Sequence, residues 1–363
     1  MSAVHGGDIA AVAERYGVDA SALHDFSANI APDGPPPGVA RVLARFAAEP
    51  WRLSPYPSPA YARLREALAR MHDIEPEAIV VGHGSAALID AALRAFAASS
   101  WLVPVPAFSE YRRALLAARS NVHPFALPAS LELSCEALLA ALQSRADAGL
   151  LVNTPHNPSG YALERAASLR LLEACRRSAR ALLVDEAFID YIPERSIVAE
   201  AAASRHATVL RSLTKFYALA GVRVGYAVTH PDRARVLQAQ LPSWPAGTLD
   251  EAIALAALTD AAYAVETRER NERRRSRLSD SIQALGIRVY PSAANFLLIE
   301  FPFASGALDV ALKHLIVAGV VLRDCRSYEG LEYRAIARVA VLDDARNQRL
   351  VAALGPAVAA ARA

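Results

Sequence analysis

Apolar residues along this chain cluster in short runs, each followed by a stretch with helical spacing. Ile79-Val80-Val81, Trp101-Leu102-Val103-Pro104-Val105, Leu150-Leu151-Val152, Ala181-Leu182-Leu183-Val184 and Thr208-Val209-Leu210 are the clearest. Runs this brief and this continuous describe strands buried on both faces, which is the pattern of a largely parallel sheet with helical connectors. Helices are predicted over about 60–71, 85–97, 109–118 and 164–178. Trp244-Pro245-Ala246-Gly247 interrupts the alternation, and a long helical stretch over about 249–285 follows, with room for a bend. The remainder reads as strand 295–301, helix 307–318, strands 320–323 and 334–341, and helix 343–361, a smaller α+β unit.

The beginning of the chain is irregular. Pro35-Pro36-Pro37 is read as excluding regular structure locally, and Pro55-Tyr56-Pro57-Ser58-Pro59 as a second rigid turn. The expected organisation is an N-terminal arm with part of the small domain over 1–50, and a large domain over 51–250. A connecting helix over 251–285 and a small domain over 286–363 complete it.

Composition narrows the function classes. The chain has 363 residues, enough for more than one domain and a large core. Its hydrophobic fraction of 53% is high, yet no apolar run is long and charge-free enough to span a bilayer. A net charge of +2 gives no sign of a nucleic-acid or membrane surface. Cys135, Cys175 and Cys325 are far apart, without metal-type spacing, and read as reduced thiols. With no basic segment and apolar core at the start, a cytoplasmic location is the expectation.

The chemistry concentrates just beyond predicted strand ends, where ligands bind in open α/β sheets. Lys215 lies in Ser212-Leu213-Thr214-Lys215, with Arg223 eight positions on. Asp185 follows four apolar residues and should be buried, which demands a charged or hydrogen-bonding partner. Asn157 stands in Asn153-Thr154-Pro155-His156-Asn157-Pro158-Ser159-Gly160. Taken singly, each has an ordinary reading: a solvated lysine, an acid paired with a structural arginine, a turn asparagine. Together they are the parts needed to hold pyridoxal 5'-phosphate (PLP). An amine forms a Schiff base, an acid partners the pyridinium nitrogen, an amide bonds the ring hydroxyl, and hydroxyls with an arginine bind the phosphate. Gly82-His83-Gly84-Ser85-Ala86-Ala87 opens a predicted helix, whose free N–H groups favour an anion. Phe108 is read either as core or as a ring stacked on the cofactor.

The patterns Asn-X-X-X-Asn-Pro-Ser-Gly, Asp-Glu-Ala-Phe and Ser-X-Thr-Lys-X-X-X-Leu-Ala-Gly-X-Arg-X-Gly resemble the fold-type I PLP enzymes of aminotransferase class I/II over nearly the whole chain. Within that group the chain is similar to the histidinol-phosphate aminotransferases. It is closer still to the threonine-phosphate decarboxylases of cobalamin biosynthesis, through His5-Gly6-Gly7-Asp8-Ile9, Asp25-Phe26-Ser27-Ala28-Asn29-Ile30 and Leu322-Arg323-Asp324-Cys325. The resemblance implies a three-layer PLP-dependent transferase fold of α/β class and catalytic roles for Lys215, Asp185 and Asn157. It implies cofactor contacts from Gly84, Ser85, Ala86, Phe108, Ser212, Thr214 and Arg223. Tyr56 would reach the cofactor phosphate across a homodimer interface. His5, Gly6, Gly7, Asn29, Arg323 and Arg338 would meet a small phosphorylated amino-acid substrate. Two departures stand out. Phe188 replaces the tyrosine that many relatives use on the ring hydroxyl, leaving Asn157 alone there, and Ala86-Ala87 replaces residues that are often polar.

Decarboxylation has a physical rationale on such a scaffold. The bond held perpendicular to the cofactor ring is the one that breaks. A substrate phosphate gripped by an arginine and a glycine loop would use remote binding energy to rotate the carboxylate into that position. His5-Gly6-Gly7 offers unobstructed N–H groups to an anion, the other reading being a disordered tail. Two rivals are a phosphate-substrate aminotransferase and a non-catalytic PLP-binding regulator. The second carries a separate DNA-binding domain, for which the sequence before Tyr56 offers no room.

Overall fold

The carboxyl ends of the parallel strands line up along one edge of a seven-stranded sheet, and this alignment gathers the chemistry. In spatial order the strands are Ile79–Gly82, Gly225–Thr229, Ala207–Ser212, Leu182–Asp185, Ala148–Asn153, Ser100–Val105 and Asn121–Ala126. All neighbours pair in parallel except Gly225–Thr229, which is antiparallel to both of its partners. The structure is a computed structural model that describes residues 6–96, 98–145 and 147–362. Helices cover both faces of the sheet, so the strands are apolar throughout: Val80, Leu151, Leu183 and Leu210 pack on one side, Leu150, Val152, Val184 and Val209 on the other. No helix among the described residues is long and apolar enough to cross a membrane.

The smaller unit is built on a four-stranded antiparallel sheet, in the order Arg323–Asp324, Ile336–Ala340, Phe296–Glu300, Arg288–Val289. Its core holds Leu297, Ile299, Leu315, Val339 and Leu350, and Phe26 from the beginning of the chain joins them. His24–Asp25 pairs in parallel with Val320–Val321, which ties the N-terminal segment to this unit.

Several expectations need correction. Pro37 opens a helix, Pro37–Ala48, instead of excluding one; its fixed φ suits the first helical position, where a missing N–H costs nothing. That helix contributes Val39 to the same core as Ile253 and Ala257, so the first 50 residues divide between the two units. The stretch 249–285 is two helices, Thr248–Leu258 and Ala261–Gln283. Asp260 separates them by accepting from the Tyr263 N–H at 2.9 Å, an N-cap that starts the second helix. The predicted strand 320–323 is two strands in different sheets. The antiparallel strand Gly225–Thr229 and the edge strand Asn121–Ala126 were not anticipated.

Beside the site, Arg211 is buried with two acids. Its guanidinium lies 3.3 Å from Glu186 and 2.5 Å from Asp190. Ser196 Oγ and the Ile197 N–H complete the shell of Glu186. Replacing Arg211 by Met leaves two carboxylates buried side by side, and should cost about 3–5 kcal/mol of stability in denaturant unfolding. A loss below about 1 kcal/mol would mean that water, not Arg211, neutralises these acids.

Candidate active site

Asn153 and Asp185 are register partners at the ends of adjacent strands, and Ser212 ends the next strand but one from Asn153. Three loops therefore open into one cavity of about 640 Å³ between the two units, lined by Lys215, Asp185, Asn157, Phe108, Ser212, Thr214 and Arg223. The smaller unit contributes Arg323 and Arg338, and the N-terminal segment adds Gly6, Gly7, Ser27 and Asn29.

Asp185 is buried at 3% exposure. Its carboxylate accepts from Tyr111 Oη at 2.6 Å and from the Ala187 N–H at 3.0 Å. Burial pushes its pKa up, while those donors and nearby Lys215 oppose the rise. Tyr111 is itself held far above its usual range by burial and by Asp185, so it stays a donor. An acid this buried, with neutral donors on its oxygens, is suited to a protonated ring nitrogen, which would favour its ionised form.

Lys215 Nζ donates to Thr214 Oγ1 at 2.6 Å, and Thr214 in turn shares a 2.7 Å hydrogen bond with Ser212. Its pKa falls to about 8, chiefly through burial. Asp185 opposes that shift, and Arg223 and Arg338 reinforce it. About a tenth of Lys215 is then neutral at pH 7, far more than of a solvated lysine.

One end of the cavity is an anion cradle. Ser85 and Ala86 line it at the start of the helix Gly84–Phe96, together with Ser212, Thr214 and Arg223. Gly84 has φ +74°, and a Cβ there would lie 2.7 Å from Arg223 Nη2, so only glycine lets the arginine approach the helix end. Backbone N–H groups, hydroxyls and a guanidinium form the donor set that a phosphate monoester requires.

At the other end, Arg323 and Arg338 are register partners on adjacent strands. Both are 7% exposed. Arg338 Nη1 donates to Asn157 Oδ1, and Arg338 Nη2 donates to the Ser27 carbonyl at 3.0 Å. Arg323 donates to Ser327 Oγ at 2.9 Å and lies over the Tyr328 ring. With its oxygen engaged by Arg338, Asn157 keeps its amide nitrogen as the donor for a ligand oxygen. Asn29 is buried with Oδ1 unpartnered, and it lines the cavity. Phe108 lines the cavity and meets Tyr111 edge-on at 5.6 Å. Phe188 lines it too, packed edge-on against Phe296 at 5.0 Å.

Of the residues expected from sequence, Tyr56 is not brought in. It is 79% exposed and stacks on Trp244 at 4.6 Å, outside the cavity of its own chain. His5 lies outside the described residues. Sequence reasoning missed Tyr111, Tyr328, Ser27 and Asn153, which also donates from Nδ2 to the Asp185 carbonyl at 2.7 Å. The four-residue spacing of Asn153 and Asn157 was the one available signal: Asn153 Oδ1 accepts the Asn157 N–H at 2.7 Å and so folds the loop.

The sequence pattern of the family described as aminotransferase class I and II matches residues 22–354. A threonine-phosphate decarboxylase of Salmonella typhimurium is 34% identical over 359 residues, covering 98% of this chain and 96% of that protein. A histidinol-phosphate aminotransferase of Roseiflexus castenholzii is 32% identical, covering 86% and 84%. Among solved structures, the histidinol-phosphate aminotransferase of Sinorhizobium meliloti in complex with pyridoxal-5'-phosphate superposes with a TM-score of 0.88. It is 21% identical and covers 99% of this chain and 96% of that one, a likeness of fold.

Two outcomes are expected of the site. Protein stripped of cofactor should capture PLP covalently at Lys215, as mapped after borohydride reduction. The capture rate should rise with pH toward about 8 and level off above it, because only the neutral amine attacks. Attachment at another lysine, or a rate still climbing at pH 10, would overturn the assignment of Lys215. Tyr111→Phe removes a donor to the carboxylate, worth about 1.5–3 kcal/mol for a charged group. Turnover should fall roughly ten- to a hundredfold; a change within twofold would mean that the Ala187 N–H alone keeps Asp185 in place.

Proposed function

This chain belongs to the aminotransferase class I and II family, and from that footing we propose that it is a PLP-dependent carboxy-lyase. Its substrate is L-threonine O-3-phosphate and its product (R)-1-amino-2-propanol O-2-phosphate, a precursor of the aminopropanol arm of cobalamin. The observation that carries this reading is the two-ended distribution of cations. Arg223 with its hydroxyls and helix end suits one phosphate, while Arg323 and Arg338 on the small sheet suit a substrate with two anionic groups of its own; the Gly7 N–H, expected to face an anion, is instead engaged by Ser27 Oγ. The similarity to the Salmonella enzyme supports the same choice.

The donor set fits the cofactor. Lys215 is the amine for its aldehyde, Asp185 the partner of its ring nitrogen, and Asn157 the donor to its ring oxygen. Phe108 would stack on its ring, and Ser85, Ser212, Thr214 and Arg223 would hold its phosphate. When bound, PLP supplies an electron sink for the pair left behind as the bond from Cα to the carboxylate breaks. The chain's own work is orientation and proton management. Arg323 and Arg338 fix the substrate's carboxylate and phosphate at the far end, and so decide which bond at Cα stands perpendicular to the ring. After carbon dioxide leaves, Cα needs a proton, and Lys215, an amine lining the same cavity, would deliver it. Asp185 would keep the ring nitrogen protonated by offering it a negative charge in a buried setting.

The enzyme is further proposed to act in the cytoplasm as a homodimer, with Tyr56 reaching the partner's cofactor phosphate. The exposed Tyr56–Trp244 stack is consistent with such an interface. The competing reading is an aminotransferase for a phosphorylated substrate, which the Roseiflexus relative favours. Phe188 and the glycine arm favour the decarboxylase.

Purified holoenzyme with threonine phosphate should release carbon dioxide and aminopropanol phosphate in equal amounts. Unphosphorylated threonine should turn over more slowly even at saturation, because remote binding energy used for orientation enters kcat. Arg338→Ala should cost about 1.5–3 kcal/mol in kcat/KM. Amino-group transfer to 2-oxoglutarate without carbon dioxide would replace this reading by the aminotransferase.

A further inference from the structure

The segment that follows His24–Asp25 makes more contacts than its length suggests. Asp25 Oδ1 accepts from the Ser27 N–H at 2.7 Å and from Ser27 Oγ at 2.6 Å, so the serine side chain is fixed by its own turn. The fixed Oγ accepts the Gly7 N–H at 2.8 Å, twenty residues away in sequence. The carbonyl of the same residue accepts Arg338 Nη2 at 3.0 Å. Gly6 lies directly on this peptide unit: a Cβ there would stand 2.3 Å from the Ser27 oxygen. Gly7 has φ +98°, a conformation that glycine adopts without strain. Ser27 itself is 4% exposed, and the segment is anchored at both ends. The Phe26 N–H donates to the Val321 carbonyl at 2.9 Å, and the Ala31 N–H to the Lys215 carbonyl at 3.0 Å.

We propose that Ser27 is a positioning residue that clasps the glycine arm with its hydroxyl and sets Arg338 with its carbonyl. The proposal rests on the reading of Arg338 and Gly6-Gly7 as the substrate's anion site. Two anion-binding elements that are remote in sequence share one residue, and the Asp25 carboxylate orients its hydroxyl so that the lone pairs face Gly7. Glycine at position 6 is required because the arm touches the Ser27 peptide closely, and the N–H of Gly7 is held at the cavity wall by that contact. A substrate group lying between the arm and Arg338 thus meets a wall and a guanidinium whose separation is fixed before it arrives, which lowers the ordering cost of binding.

The test uses full-length holoenzyme and two substitutions, Ser27→Ala and Gly6→Ala, read by amide hydrogen exchange and by steady-state kinetics. Both should speed exchange at the Gly7 amide. S27A should raise KM for threonine phosphate about tenfold, the loss of roughly one good hydrogen bond, with kcat lowered less. The bound cofactor's absorbance should not change. Unchanged Gly7 exchange in S27A overturns the clasp whatever the kinetics do, and so does an arm that stays protected in G6A. Exchange that rises equally along Ile336–Ala340 would also overturn it, since the serine would then only support the fold. Absence of carbon dioxide release by the unsubstituted enzyme would count against the decarboxylase reading instead, while the Gly7 amide still reports on the clasp.

Discussion

A carboxylate taken out of water must find charge or hydrogen bonds, and the placement of Asp185 obeys that constraint at each level of the structure. The strand Leu182–Asp185 is apolar until its last residue, so the acid is delivered to the sheet edge by the same burial that makes the strand. Tyr111 and the Ala187 N–H supply two bonds, and Asn153 ties down the Asp185 carbonyl from the neighbouring strand. None of these partners carries a positive charge. Lys215 stands across the cavity, and its own amine is pushed toward neutrality by the burial that raises the acid. The two groups are therefore poised by a common cause: each lacks the water that would keep it charged.

Directly behind, Glu186 turns to the other side of the sheet and meets Arg211, whose second partner is Asp190. Glu186, the first residue past that strand, still pairs with Leu210 and continues its alternation, so Asp185 and Glu186 serve opposite faces. The face toward the cavity is left with an acid that has room for a cationic ligand. The face toward the body of the large unit has its charges paired internally. A structural ion cluster and a carboxylate lining the cavity can be adjacent in sequence because their side chains leave opposite faces of the sheet.

What was legible in the sequence follows the same division. Lys215, Asp185 and Asn157 are conspicuous in the sequence as polar residues at or a few positions beyond the ends of apolar strands, and the sheet aligns those ends by register. Tyr111 was hidden because a tyrosine three residues after Phe108 looks like part of an amphipathic helix. Only the tertiary packing shows that its hydroxyl reaches Asp185. The run 249–285 looked like one long helix because helical periodicity continues through Thr259-Asp260, and only the cap geometry at Asp260 separates the two. Pro37 misled for a local reason: a proline after two prolines suggests an extended segment, yet the third serves as the first residue of a helix.

The two ends of the cavity come from different units and meet at one amide. The cofactor end depends on the large sheet, which orders Ser212, Thr214, Lys215 and Arg223. The substrate end depends on the small sheet, which sets Arg323 beside Arg338 by register. Asn157 belongs to the first and is held by the second, through Arg338 Nη1 and, at 3.4 Å, through Tyr328 Oη. An anion that takes up Arg338 Nη1 takes it from Asn157 Oδ1, so occupancy of the substrate end and donation at the cofactor end are linked free energies. The backbone of the large-unit loop is also joined to the N-terminal segment, where the Ala31 N–H meets the Lys215 carbonyl. The residues that would grip a substrate and the residue that would carry the cofactor are thus separated by a few hydrogen bonds. Their relative position is set by the seam between the units more than by either unit alone.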